Sequence, residues 1–259
     1  MEENVSYPRI IMGLDVSTAC IGVSIVKDNG DGKDPEILKL THISPKVSGD
    51  IKGIEALFLR KNIFEQEFLP SVKQFGITDV VIEEPLLSSN NAYTVATLLR
   101  FNGMIAECIY RTLRIVPAFI SSYDARTYSF PDLLAIRKYD KKGHVYPIKH
   151  IVKALKDNHL VLFGAYPFDI DKKTVMMNMV NNKFDNIEWI YNKKGEIRKE
   201  NYDACDSLIC ALAYINFNRN GFEEPQIESY SIEKDDRGNT IVEYIVKMWG
   251  QTFAKTINL

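Results

Sequence analysis

The apolar residues of this chain fall into short runs before they fall into helical stripes. Ile10, Ile11, Met12 and Leu14 form a nearly continuous run, as a strand buried on both faces should. Asp15 interrupts it. Gly22 opens a second run, Val23 to Val26, which stops at the turn signal Asp28-Asn29-Gly30. Arg9–Val26 therefore reads as strand, tight turn, strand. Glu36–Ile43 alternates well enough for a third strand. Helical spacing begins with Ile54, Leu57, Phe58, Phe64 and Phe68, and predicts a helix over Ile54–Leu69 that Pro70 and Gly76 close. Thr78–Ile82 is a β-branched strand, followed at once by Glu83, Glu84 and Pro85. The polar stretch Leu87–Asn91 leads into a helix, Ala92–Arg111, with Val95, Leu98, Leu99, Ile105 and Ile109 on its apolar side; Gly103 within it marks close packing or a weak point. Ile115–Ile120 is the next strand.

From Ser121 to Asn201 the pattern changes to a section rich in Lys, Arg, Tyr and Asn. Ile148–Lys156 is expected as a helix, with Pro147 at its first turn and Ile148, Ile151, Val152 and Leu155 inward. Asp171–Lys183 is a second helix, capped by Asp169 or Asp171. Ile187–Tyr191 and Glu196–Arg198 flank a short turn. Tyr202–Asn216 is the last strong helix. Beyond Gly221, Ser229–Lys234 and Thr240–Met248 flank Asp235–Asn239 as a hairpin candidate. Strands alternating with helices predict an α/β fold with an antiparallel three-stranded start. Its domains would be residues 1–220, carrying an insert at about 121–170, and a C-terminal extension over 221–259.

Composition adds limits. With 259 residues, 46% of them hydrophobic and 25% charged, the chain suits one large globular domain or one with an insertion. A net charge of −2 gives no global basic field, so any surface for a polyanion must be local. Cys20, Cys108, Cys205 and Cys210 have no zinc-ligand spacing and sit in apolar stretches, which points to reduced core residues and a cytoplasmic setting, the host's if the source is a virus or phage. The acidic N-terminus does not read as a signal peptide. No apolar run reaches the ~18–20 residues that span a bilayer.

Four acids stand at element edges beside apolar runs: Asp15, Glu83, Asp203 and Asp206. Each has a bland explanation. Asp15 suits a turn cap, Glu83 a solvated strand end, and Asp203 with Asp206 the first turn of a helix, where acids complement the dipole. Together they suggest more, because separate elements would bring carboxylates to one sheet edge. Clustered carboxylates repel and raise one another's pKa, and hard divalent cations relieve that. Oxygen ligands without His or Cys suit Mg²⁺ or Mn²⁺ rather than zinc. Two such ions about 4 Å apart activate water and stabilise the leaving oxygen of a phosphodiester.

Four places then carry a resemblance: MGLD (Met12–Asp15), VIEEP (Val81–Pro85), the KKTVMMNMV helix (Lys172–Val180) and DACDSLICALAY (Asp203–Tyr214). The chain resembles the RuvC-type Holliday-junction resolvases of the RNase H-like nuclease superfamily, in order, over most of Arg9–Tyr214. Asn91, Gly103 and IVPAFI follow the same pattern. The resemblance implies an RNase H-like mixed sheet, three antiparallel strands plus parallel ones, flanked by helices. It implies an acidic tetrad of Asp15, Glu83, Asp203 and Asp206 holding two Mg²⁺ ions. It picks Glu83 over Glu84, which alternation alone leaves open. It also implies a basic residue near the metals, Lys173 or Lys172; lysines there oppose their helix dipole and call for a local anion, unless they are merely solvated. A four-way DNA junction as substrate and a homodimer, with Ala92–Arg111 as candidate interface, follow from the same resemblance. The chain departs from the pattern at Val16, where Pro is frequent, in the long segment Ser121–Phe168, and in the tail Phe222–Leu259.

DNA backbone contacts need Lys and Arg. Candidates are Lys172, Arg126 and the row Lys149, Lys153 and Lys156, a row that equally suits a solvated helix face. Ser88, Ser89, Asn90 and Asn91 follow Glu83 and could reach sugar or phosphate near the cut. Tyr123, Tyr128 and Phe130 suit either base stacking or the core of the insert. Two rivals remain. Asp15-Val16-Ser17-Thr18 is also similar to the phosphate hairpin of actin-like ATPases, which need a second such hairpin and a longer chain. A catalytically silent DNA-binding scaffold on the nuclease fold is the other.

Overall fold

The structure is a computed structural model and describes residues 8–30, 32–85, 91–166, 169–185 and 187–259. Contacts divide the chain into two units, Met1–Ala125 with Phe184–Arg219, and Arg126–Lys183 with Asn220–Leu259.

The first unit is built on a five-stranded mixed sheet. Strands β1 (Arg9–Val16), β2 (Ile21–Asp28) and β3 (Glu36–Ile43) form the antiparallel start. Strands β4 (Asp79–Glu83) and β5 (Ala118–Ile120) then add parallel to β1, giving the order β3-β2-β1-β4-β5. Helix α1 (Gly53–Ile63) continues through a π-helical segment, Phe64–Phe68, into α2 (Leu69–Val72), and ends at Gly76 with φ 67°. Pro70 was expected to close this helix. It sits inside α2 instead: it has no N–H to give, and the wider π segment just before it absorbs the break in the ladder. Helix α3 (Ala92–Leu113) buries Phe101, Ile105, Cys108 and Ile109 against the sheet. Leu99, expected inward, is 43% exposed, and a Cβ on Gly103 would meet nothing within 4 Å, so this face of α3 is open within the chain. Helix α4 (Ser122–Ser129) begins at the end of this unit, and α7 (Glu200–Asn220) runs along the sheet.

The second unit gathers two stretches far apart in sequence. Short strands β6 (Leu134–Ile136) and β7 (Leu160–Leu162) pair around α5 (Ile148–Lys156), followed by α6 (Lys172–Lys183). The C-terminal residues form β8 (Gln226–Lys234), β9 (Thr240–Met248) and β10 (Gln251–Asn258), a three-stranded sheet where a hairpin was expected. The insert and the extension are thus not separate additions. Ala135, Ile136, Ile151 and Leu155 share a core with Val242, Tyr244, Val246 and Ile257. Neither stretch has enough apolar surface to close a core alone, and sequence periodicity does not show such non-local pairing. Buried Tyr244 accepts a hydrogen bond from the Ile136 N–H at 3.0 Å, and burial pushes its hydroxyl pKa up to about 12. Tyr128 packs on Trp249 and Phe222, and Phe130 is buried, so both are core residues rather than stacking platforms for a base.

Candidate metal centre

Parallel pairing of β1 with β4 sets Leu14 beside Ile82, so the residues that follow, Asp15 and Glu83, leave the sheet at the same end. Helix α7 starts at that end and brings Asp206. Carboxylate oxygens of Asp15, Glu83 and Asp206 all lie within 4.8 Å of one another; Asp206 is buried and the other two are half-buried. Among the described residues this group does not include Asp203 or Glu84. Glu84 continues the backbone ladder instead, its N–H donating to Ile120 O at 2.8 Å.

What seats α7 is the absence of side chains on two sheet residues. A Cβ on Gly22 would fall 1.9 Å from the carbonyl oxygen of Asp203, and one on Gly13 would fall 2.1 Å from that of Ser207. Backbone thus meets backbone where any other residue would hold the helix off. Ser24, buried on β2, donates to Ser207 O at 2.9 Å and fixes the register. Asn102 of α3 donates through Nδ2 to Val16 O at 3.3 Å, tying that helix to the strand end beside Asp15. Gly13, Gly22, Ser24 and Asn102 therefore position the site, although in the sequence they read only as strand and helix residues. A polar Asn and Ser at apolar positions were the one available signal.

Asp203, one turn before Asp206, takes part differently. Burial first, and then a hydrogen bond to the Asp203 carboxylate, push the Cys20 thiol up to about 12, so it stays protonated. Cys20, Cys108, Cys205 and Cys210 are all buried and free of disulfides. The hydroxyl of Ser17 closes the β1–β2 turn, donating to Cys20 O at 2.8 Å and accepting from the Cys20 N–H at 3.1 Å. In the sequence that turn suggested a phosphate hairpin.

The remaining candidates lie elsewhere. Asn91 Oδ1 caps α3, accepting from Tyr93 N at 3.1 Å and Thr94 N at 3.2 Å. Asn90, with Ser88 and Ser89, is outside the described residues. Lys172 and Lys173 open α6 in the second unit, as expected, with Asp171 Oδ1 accepting from Lys173 N at 3.2 Å; Lys172 Nζ stands 5.9 Å from the centroid of the Phe163 ring. Lys149, Lys153 and Lys156 are exposed on α5, and the first two line a cleft of about 680 Å³ with Arg137, Tyr146 and His150. Arg126 lies in α4, half-buried.

No protein-family model and no curated protein matches the chain. Solved structures do. Thermus thermophilus RuvC in complex with a Holliday junction substrate is similar over 82% of this chain and 96% of that one, at 15% identity and TM-score 0.51. The fold is RuvC-like. A further structure of T. thermophilus RuvC matches over 82% and 96% at 16% identity and TM-score 0.48, and the yeast mitochondrial Holliday junction resolvase over 83% and 82% at 15% identity and TM-score 0.46. The mixed sheet and the helices that flank it are what this likeness shows.

Proposed function

We propose that this chain is a metal-dependent endonuclease that hydrolyses phosphodiester bonds in branched DNA, with four-way junctions as its main substrate. The observation that carries the reading is the meeting of Asp15, Glu83 and Asp206 from three separate elements at one end of a RuvC-like sheet. The donor set fits Mg²⁺, with Mn²⁺ as an alternative: it is all carboxylate, without His or Cys. The spread of its oxygens also fits. Ligands about 2.1 Å from an octahedral ion stand up to about 4.2 Å apart, within small side-chain adjustments of the arrangement here. When bound, such ions lower the pKa of water and stabilise a departing oxygen. Two ions, as the resemblance implies, would draw on Asp203 as well.

The chain's own groups do the rest. Asp15, Glu83 and Asp206 hold the charge that attracts the cation, and the seated start of α7 keeps Asp206 from swinging away. Lys173, or Lys172, offsets charge that develops on the phosphate. Arg126, Lys149, Lys153 and Lys156 hold DNA backbone. Paired cuts across a junction need two active sites, so a homodimer is proposed, with Leu99, Gly103 and Tyr110 on the open face of α3 between the protomers. A mass measurement on junction-bound protein checks this, and a monomer overturns it.

The test of function is cleavage of a labelled four-way junction, a flap and a plain duplex in Mg²⁺, wild type beside Asp206→Asn. Paired nicks near the branch point that the variant lacks support the reading. Binding without any cutting by the wild type overturns it in favour of a scaffold.

A further inference from the structure

The first unit holds a second polar feature at the same end of the sheet, and it is basic. A cleft of about 460 Å³ opens between the β1–β2 turn at Thr18, the start of α1 and the N-terminal half of α3 at Thr97 and Arg100. Lys52, Arg60 and Arg100 line it, and among the described residues no Asp or Glu does. Glu55, in the first turn of α1, is exposed and outside the lining.

Two details add to its basic character. The Nε of Arg60 is buried with no hydrogen-bond partner among the described residues. No carboxylate within the described residues accepts from it, so the guanidinium keeps its charge for the cleft that its residue lines. Helix α1 starts in the same cleft at Gly53, and its N-cap residue, Lys52, makes no side-chain cap, so first-turn amides add positive potential there. Three cations and an uncapped helix start suit one compact oxyanion. Arginine's fork suits phosphate oxygens.

We propose that this cleft binds a backbone phosphate of the DNA strand, beside the carboxylates that act on it. The proposal rests on the nuclease reading for the identity of the ligand. Its position supports that source. Thr18 is three residues past Asp15, and α3 is entered from the strand end that carries Glu83, so a strand crossing the carboxylates passes this flank. Arg60 and Arg100 would grip one phosphate and set the strand's register, leaving the carboxylates to meet the next part of the backbone.

The test measures binding of a fluorescent four-way junction across a salt series without divalent metal, where cutting does not interfere. The proteins are wild type, Arg100→Gln, Arg60→Lys and Arg60→Gln/Arg100→Gln. Loss of one phosphate contact lowers the slope of log K against log[salt] by about 0.9. The expected result is that drop for the double variant, with about tenfold weaker binding at physiological salt. Arg100→Gln, at an exposed site that does not threaten folding, should show part of it. Arg60→Lys keeps the charge but loses the guanidinium fork, and should fall between. Unchanged affinity and slope in the double variant, or a wild type that binds no DNA, overturns the proposal. A parallel melt with inorganic phosphate separates the sources: phosphate that stabilises the wild type but not the double variant, with DNA binding unaltered, means a small-anion site and overturns the backbone assignment. Cutting is read separately, so a changed slope in a protein that never cuts would retain this site while removing the nuclease reading.

Discussion

The central sheet treats charge in opposite ways at its two ends, using the same elements. At the end where β1 and β4 begin, Asp79 and Asp28 each meet an arginine. Arg9 pairs with Asp79 across the two strands, and Tyr214 of α7 donates to Asp79 Oδ1 at 3.2 Å. Asp28 closes β2 and is held by Arg219, near the end of α7, which also donates to Lys33 O at 2.8 Å. Burial alone would raise the Asp79 pKa, but the hydrogen bonds and charge of Arg9, helped by Thr78, hold it below the ordinary value. At the opposite end carboxylate oxygens of Asp15, Glu83 and Asp206 gather within 4.8 Å of one another. The first arrangement matches each of these acids with an arginine, so that removing one partner strands a charge. The second concentrates carboxylates whose mutual repulsion a hard cation would relieve.

Substitutions should separate the two ends, and the largest effect belongs to the carboxylates. Metal assistance is worth several kcal/mol of transition-state stabilisation, so Asp206→Asn should reduce cutting by about 10³-fold. Asn keeps the shape of the side chain, so the melting temperature should change far less than the cutting. Arg219→Met should do the reverse. It strands the Asp28 side chain, 1% exposed, at a cost of about 3–5 kcal/mol in a denaturant melt, while folded protein still cuts. Equal losses of stability from both variants would collapse the distinction. Gly22→Ala links the ends to the helix between them: its methyl cannot sit 1.9 Å from Asp203 O. Overpacking of this kind costs about 1–3 kcal/mol, and cutting should fall with it as Asp206 moves off the other two acids.

A smaller effect is metal-induced stabilisation. Mn²⁺ or Mg²⁺ at ten times its dissociation constant should stabilise the wild type by about 1.4 kcal/mol and Asp206→Asn by much less, read by thermal melting. The smallest is the acid limb. The Asp79 pKa is lowered on folding, so its contribution is present above the unfolded value near 3.9 and is lost as pH falls through the lower folded value. Arg9→Met should therefore flatten the decline of stability below about pH 4, and an unchanged decline would mean that the pair contributes nothing.

Much of this was legible before any coordinates. The apolar runs locate β1 to β4 and the helix stripes locate α3, α5, α6 and α7 within a few residues. Their order yields the mixed sheet, because short β-branched runs and 3.6-residue spacing reflect local side-chain burial. Asp15, Glu83 and Asp206 stood out as acids at the ends of apolar runs. Other features were hidden. Leu99 fits the apolar stripe of α3 yet points outward, since periodicity gives a face and not what covers it. The insert and the C-terminal strands join in one core, which depends on pairing between residues some hundred positions apart. Arg60 reads as one more charge on a helix; only in the folded chain is its Nε buried without an acceptor.

Sequence alone thus determined β1 to β4, helices α3, α5, α6 and α7, and which acids lie at element ends, because these follow from local alternation and from the cost of placing a carboxylate beside buried strands. Tertiary structure decided which of those acids meet. Glu83 and Asp206 join Asp15 because strand register and the close seating of α7 on Gly13 and Gly22 aim them there. Register and approach distance are set by contacts between elements, and no pattern within an element encodes them.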